Sequence, residues 1–194
     1  MTRDALRRQL RIARQALPPE VRAAAAEAAA SLIAKHPQYH NAQHISVYMA
    51  VDNELDPTPL VRRALADRKK VFLPGVPPTN DQPLMFLPYA PDTKMTMNRL
   101  RIMQPAVAGG EMPPRGLHLV MVPLVAFDTE GQRLGMGGGF YDRSFAFLKD
   151  GKIRQPMLIG MAYECQKVKK IPAEPWDVPL AGVVTEQQFY AFSN

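Results

Sequence analysis

Residues 122–143 read VPLVAFDTEGQRLGMGGGFYDR, and they hold the residue types a phosphate chemistry needs. Gly135, Gly137, Gly138 and Gly139 fall within five positions, so the main chain is bare and its N–H groups can approach an anion closely. The FYDRSFAFL segment that follows starts as a helix, and the free N–H groups of a helix start also favour negative charge. Arg133 precedes the glycines, and Tyr141, Asp142 and Arg143 follow them, supplying cations and a carboxylate for a phosphate–metal site. A tight turn is the plainer reading of a glycine cluster, but the dense charge on both sides argues for an anion site. No Gly-Lys-Ser/Thr follows, so this is not a Walker A loop, and it fits a dinucleotide fingerprint poorly.

The elements that must position this loop alternate between helical and strand patterns. Leu6, Leu10, Ala13 and Leu17 recur at spacings of three and four and mark one face of a first helix, with Arg3, Arg7, Arg11 and Arg14 as a neighbouring stripe. Pro18-Pro19 ends it, and Pro19 opens an alanine-rich second helix through about Lys35. Residues 44–50 read as a buried strand. Asp56-Pro57 starts a helix with Leu60, Val61, Ala64 and Leu65 inward, and residues 70–74 form the next strand. Strand, helix, strand implies a parallel βαβ unit. Residues 75–116 are rich in proline and glycine with one clear strand at 84–89, and so long an irregular stretch is expected to be functional. Strands at 117–123, 155–161 and 181–185, a helix over 140–149 and a polar tail complete the pattern. The expectation is a single domain over 1–194, a three-layer α/β/α fold with a mainly parallel sheet.

Composition narrows the function. Apolar residues at 46% and charged residues at 22% are globular values. No apolar run is long enough to span a bilayer and no secretory signal pattern opens the chain, so no membrane partner is expected. A single cysteine, Cys165, points to a reducing, cytoplasmic setting. The net charge of +6 gathers in the first 22 residues, where six arginines face Asp4 and Glu20. That local excess suits either nucleic acid or a small polyanion.

The stretch FDTEGQRLGMGGGFYDR closely resembles the signature of the 5-formyltetrahydrofolate cyclo-ligase family, also called methenyltetrahydrofolate synthetases, and is most similar to its proteobacterial members. The likeness continues through the basic N-terminal helix, Glu54-Leu55-Asp56-Pro57-Thr58-Pro59-Leu60 after the first strand, and Ile171-Pro172-Ala173-Glu174-Pro175-Trp176-Asp177 with Val183-Val184-Thr185-Glu186 near the end. The resemblance implies ATP- and Mg²⁺-dependent closure of 5-formyltetrahydrofolate to 5,10-methenyltetrahydrofolate, with release of ADP and phosphate. It implies that Arg133, Leu134, Gly135, Met136, Gly137, Gly138, Gly139, Phe140 and Tyr141 hold the nucleotide phosphates, joined by Arg3, Asp4, Ala5, Leu6 and Arg7. Met136 to Phe140 would also face the folate, together with Met49 and Glu54, whose carboxylate would accept paired N–H donors of the pterin. Asp142, assisted by Asp177, would ligate Mg²⁺, and Arg133, Tyr141 and Asp142 would form the catalytic group.

This chain departs from the family pattern in three places: Phe140 replaces a common tyrosine, Arg3 a common lysine, and Gln104 a common glutamate, so no role is assigned to Gln104. His36, His40 and His44 repeat every four residues, but Pro37 interrupts a helix there and they are not read as a metal set. Cys165 is expected to be inert and the eleven methionines to be core filler. A monomeric enzyme with a small-molecule substrate and no nucleic-acid partner is the expectation. The alternatives are a nucleic-acid-binding module built on the basic helix, or a family relative with a changed acceptor.

Overall fold

The structure is a computed structural model that describes residues 2–106 and 109–192. Three helices open the chain: α1 (Arg3–Gln15), α2 (Pro19–Ala34) and the short α3 (Pro37–Asn41). β1 (His44–Ser46), α4 (Thr58–Ala66) and β2 (Lys70–Gly75) then form the parallel βαβ unit, β1 pairing with β2 in the register Ile45 to Val71. β3 (Met85–Tyr89) returns antiparallel along β2, and β4 (Met95–Met97) and β5 (Met103–Pro105) make a separate hairpin. β6 (Leu119–Pro123) re-enters the sheet beside β1, and β7 (Ala126–Phe127) and β8 (Arg133–Leu134) form a second small hairpin. α5 (Phe140–Phe145), β9 (Met157–Met161), β10 (Gly182–Val184) and β11 (Phe189–Ala191) follow.

The main sheet has seven strands in the order β11-β10-β9-β6-β1-β2-β3, parallel through its five central members and antiparallel at both edges. Central parallel strands are covered on both faces, which is why Leu119, Val120, Met121 and Val122 of β6 are all fully buried. On one face Ile45, Leu73, Leu119, Met121 and Ile159 meet Ala29, Ala30 and Ile33 of α2 and Leu60 and Ala64 of α4. The alanines let α2 lie close to the sheet. On the other face Phe72, Val120, Val122, Leu158 and Val183 pack with Phe127 and Phe145. Leu6 and Leu10 of α1 form a third cluster with Val125, Ala126, Leu134 and Ile171, the periodicity in the sequence appearing here as one docked face.

Several elements differ from the sequence reading. The β1 ladder ends at Ser46, because Tyr48 and Met49 leave the sheet to face a cavity, although Val47 still donates to Phe72 O at 3.0 Å. Helix α4 begins at Thr58, whose N–H donates to the Asp56 carboxylate at 2.9 Å. The helix read over 140–149 is α5 to Phe145 and then a 3₁₀ turn over Ala146–Leu148. The polar tail contains β11, and the irregular 75–116 stretch contains β4 and β5 besides β3.

Candidate active site

The strand order reverses between β1 and β6: from β1 the chain winds outward to β2, and from β6 it winds the other way to β9 and β10. Beyond the carboxyl ends of strands at such a reversal a crevice opens, where open α/β sheets take their ligands. Here it is a cavity of about 630 Å³. Tyr48, Met49, Val51 and Glu54 enter it from the loop after β1, and Pro123 and Leu124 from the end of β6. Arg3 and Arg7 of α1 and the run Gly135 to Asp142 complete the polar side. Most of the expected nucleotide and folate residues therefore line one cavity.

The glycine loop is held by cations. Arg7 Nε donates to Gly135 O at 2.9 Å, and its guanidinium carbon lies 3.9 Å from where a Cβ on Gly137 would stand. Gly137 has φ 100° and Gly139, the residue before α5, has φ 63°, left-handed values that favour glycine. A Cβ on Gly139 would come within 2.6 Å of an Arg143 guanidinium nitrogen, while Arg143 Nη2 donates to Gly138 O at 2.7 Å. The loop is a second wall as well: Gly137, Gly138, Gly139 and Asp142 also border a shallower cavity of about 620 Å³, reached by Arg143, Lys149 and Trp176.

Asp128 explains why the loop starts where it does. Its buried carboxylate accepts from Glu130 N and Gln132 N at 3.0 Å each, and from Ile171 N at 2.9 Å. It folds the turn between β7 and β8, where Gly131 stands at φ 82°, and so delivers Arg133 inward. Arg133 is 6% exposed; it donates to Asp142 Oδ1 at 2.6 Å and to Val178 O. Val178 N also donates to Asp142 Oδ1, at 3.1 Å, while Oδ2 accepts no hydrogen bond from the described residues.

Asp177 pairs with Arg3, Oδ2 at 2.6 Å and Oδ1 at 3.3 Å, and accepts from Glu174 N. Burial pushes its carboxyl upward, but the Arg3 and Glu174 hydrogen bonds outweigh this and leave it below the usual aspartate range. Glu54 is 8% exposed, and burial raises its pKa against the opposing pull of the Val51 N–H and Arg14. Tyr141 has a buried hydroxyl with no hydrogen-bond partner among the described residues, and it lines the first cavity. Burial first, and the Glu54 carboxylate second, push that phenol up, so it stays a donor awaiting an acceptor.

Not every expected residue reaches the cavity. Arg3 and Arg7 do, whereas Leu6 and Leu134 are buried in the α1 cluster, and Asp4 and Ala5 do not line it; Asp4 pairs with Arg7 at 2.5 Å. The Phe140 ring meets two guanidiniums, with Arg143 5.0 Å and Arg99 5.8 Å from its centre. A ring face that attracts cations needs no hydroxyl. The apolar wall that sequence reasoning missed is Leu100, Ile102 and Met103, carried by the β4–β5 hairpin, with Trp176 at the rim. Gln104 has a structural role: its Oε1 accepts from Val76 N and from Asn98 Nδ2, both at 3.0 Å, tying that hairpin to the end of β2. His36 caps α3, accepting from Gln38 N, and Cys165 is exposed.

A mainly parallel sheet whose switch-point crevice is walled by a glycine loop, cations and apolar side chains has the architecture of an α/β enzyme. The chain matches the 5-formyltetrahydrofolate cyclo-ligase family over residues 1–186 and belongs to it. It is 38% identical over 182 residues to the 5-formyltetrahydrofolate cyclo-ligase of Escherichia coli (strain K12), covering 93% of this chain and 98% of that one. The Haemophilus influenzae 5-formyltetrahydrofolate cyclo-ligase is also 38% identical, over 148 residues, 76% of this chain and 78% of that one. The solved structure of Aquifex aeolicus 5,10-methenyltetrahydrofolate synthetase superposes with a TM-score of 0.83 at 28% identity, covering 100% of this chain and 94% of that one. The protein is thus a ligase of folate one-carbon metabolism that converts 5-formyltetrahydrofolate to 5,10-methenyltetrahydrofolate, and the family implies ATP use. Among the described residues, no helix is long and apolar enough to cross a membrane.

Proposed function

We propose that ring closure proceeds by transfer of the ATP γ-phosphoryl group to the formyl oxygen of 5-formyltetrahydrofolate. A formamide oxygen is a poor leaving group. Once it is bonded to phosphorus, with the γ-phosphorus bond to ADP broken, attack on the formyl carbon by the second folate nitrogen expels phosphate. That nitrogen loses its proton and the five-membered ring closes. Such chemistry asks for positioning and charge neutralisation more than for a side-chain nucleophile.

The observation that carries this reading is the glycine loop as a shared wall, with the buried Tyr141 hydroxyl, unpartnered among the described residues, lining the first cavity. Gly137 to Gly139 present main chain to the phosphates, and Arg7 and Arg133 supply positive charge beside them. The Tyr141 hydroxyl donates to an oxygen of the reacting group. Glu54 accepts from the pterin, and Met49, Leu100, Ile102 and Met103 exclude water.

For Mg²⁺ the donor set fits. No cluster of three or more His, Cys, Asp or Glu suited to a metal occurs among the described residues, and Mg²⁺ takes one or two carboxylates and draws its other ligands from phosphates and water. Asp142, with a free oxygen, is the direct ligand of this reading, and Asp177 assists beside it while paired with Arg3. The ion would neutralise phosphate charge. A monomer in the cytoplasm completes the proposal.

The test is spectrophotometric. Protein, Mg-ATP and 5-formyltetrahydrofolate together are expected to generate the methenyl chromophore with one ADP per turnover. A chromophore that forms equally without ATP would overturn the phosphoryl route.

A further inference from the structure

The two residues before Glu54 are held in an unusual way. Asp52 and Asn53 stand at φ 51° and 57°, consecutive left-handed positions that side-chain-bearing residues keep only when their surroundings fix them. What fixes them is the far end of α1. Asp52 Oδ2 accepts from Arg11 Nε at 2.7 Å and from Arg14 Nη2 at 2.8 Å, and its Oδ1 accepts from Gln15 Nε2 at 2.6 Å. Arg22 of α2 donates to Asn53 Oδ1.

Arg14 is the unexpected member. As part of a basic stripe it would be a solvated surface residue, yet it is fully buried. Its Nη1 reaches Leu124 O at 3.4 Å, at the cavity wall beyond β6, and its Nε is buried with no hydrogen-bond partner among the described residues. Burying the Arg14 guanidinium costs desolvation that its pairing with the partly exposed Asp52 offsets only in part, so α1 gains little stability from a charge at this position. What it gains is geometry. Glu54 depends on the turn directly, because its N–H donates to Val51 O at 2.9 Å and its Oε2 accepts from Val51 N at 3.1 Å. The carboxylate therefore goes where the turn goes.

The other end of the same 13-residue helix meets the glycine loop, through Arg7 and Gly135 O, and meets Asp177 through Arg3. We propose that Arg14 and Asp52 are positioning residues. Their ion pair locks the left-handed turn so that Glu54 faces the folate, and α1 keeps that turn in register with the nucleotide loop. This rests on the reading that Glu54 binds the folate.

The experiment measures KM for each substrate, by methenyl absorbance, in D52N, E54Q and the double variant. Asparagine keeps the size of Asp52 and tolerates the left-handed backbone, while removing the charge and one acceptor oxygen. D52N is expected to raise the folate KM roughly tenfold and the ATP KM by less than about twofold. In the E54Q background the same change should add less than about twofold, because the group it positions is already impaired. Where D52N leaves buried Arg14 too poorly paired to fold, R14Q/D52N removes both charges and should show the same folate-specific rise. Equal rises in both KM values, or the full D52N factor persisting in E54Q, overturn the proposal. An E54Q variant with an unchanged folate KM instead removes the placement of the folate itself. A normal E54Q effect beside a silent D52N sinks only the clamp.

Discussion

Glu54→Gln separates charge from shape in the pocket. The amide keeps the length of the side chain, and its carbonyl can still accept from Val51 N, now at 3.1 Å from Oε2. On the proposed contact, what is lost is charge assistance toward the pterin. A hydrogen bond to an ionised group contributes about 1.5–3 kcal/mol and a neutral one about 0.5–1.5, so a paired contact weakens by about 2 kcal/mol. In KM for the folate that is roughly 30-fold. The pH response has a definite sign. Burial raises the Glu54 pKa, so the folded protein takes up this proton at a higher pH than the unfolded chain does. As pH falls through that range, protonation favours the folded state while it weakens folate binding. Wild-type kcat/KM for the folate should therefore decline on the acid side with a midpoint above the usual glutamate value of about 4.3. E54Q should lose that decline and melt no lower than wild type at neutral pH. Initial rates across pH, with each substrate varied in turn, and thermal melts check this. An equal rise in the ATP KM, or an acid limb that survives in E54Q, would refute the assignment.

Asp142→Asn should lower kcat/KM for Mg-ATP by about 100-fold or more with an unchanged circular dichroism spectrum, since the amide can still accept from Val178 N but no longer offers a carboxylate. Unchanged turnover would remove Asp142 from the metal site. Gly137→Ala forces a Cβ onto a residue at φ 100°, a strain of about 1–2 kcal/mol, and should lower both the melting temperature and the nucleotide affinity seen by calorimetry. Wild-type values for both would show that the loop does not need its left-handed glycine. Trp176 is the only tryptophan and borders both cavities, so its emission should change saturably with Mg-ATP. An emission spectrum unmoved at nucleotide concentrations that calorimetry shows to saturate the protein would place the nucleotide elsewhere.

The glycine loop was legible as a bare, charge-flanked turn because its signal is local: four glycines, two arginines and a carboxylate lie within residues 133–143. The docked face of α1 was legible for the same reason, through the spacing of Leu6 and Leu10. The Arg14–Asp52 pair was not, since its members are 38 residues apart and an arginine on a basic stripe gives no sign that it points inward. The β4–β5 hairpin escaped because Met95–Met97 and Met103–Pro105 are too short to show alternation, and β11 was hidden in a tail whose polarity suits an edge strand. Residues 44–50 read as one strand because burial runs without a break from Ile45 to Tyr48, past the end of the ladder at Ser46. The sheet and the pocket both bury side chains, and sequence does not tell the two apart.

The apolar wall of the pocket hangs apart from the central sheet, on a two-stranded hairpin fastened through Gln104 to the end of β2. Residues 98–102 between its strands lie outside the parallel ladder, although Arg99 among them reaches the Phe140 ring at the end of the glycine loop. Under the proposed function, the apolar face offered to the folate can drift in sequence without breaking a hydrogen bond of the central ladder, while a change at Arg99 is felt by the glycine loop as well.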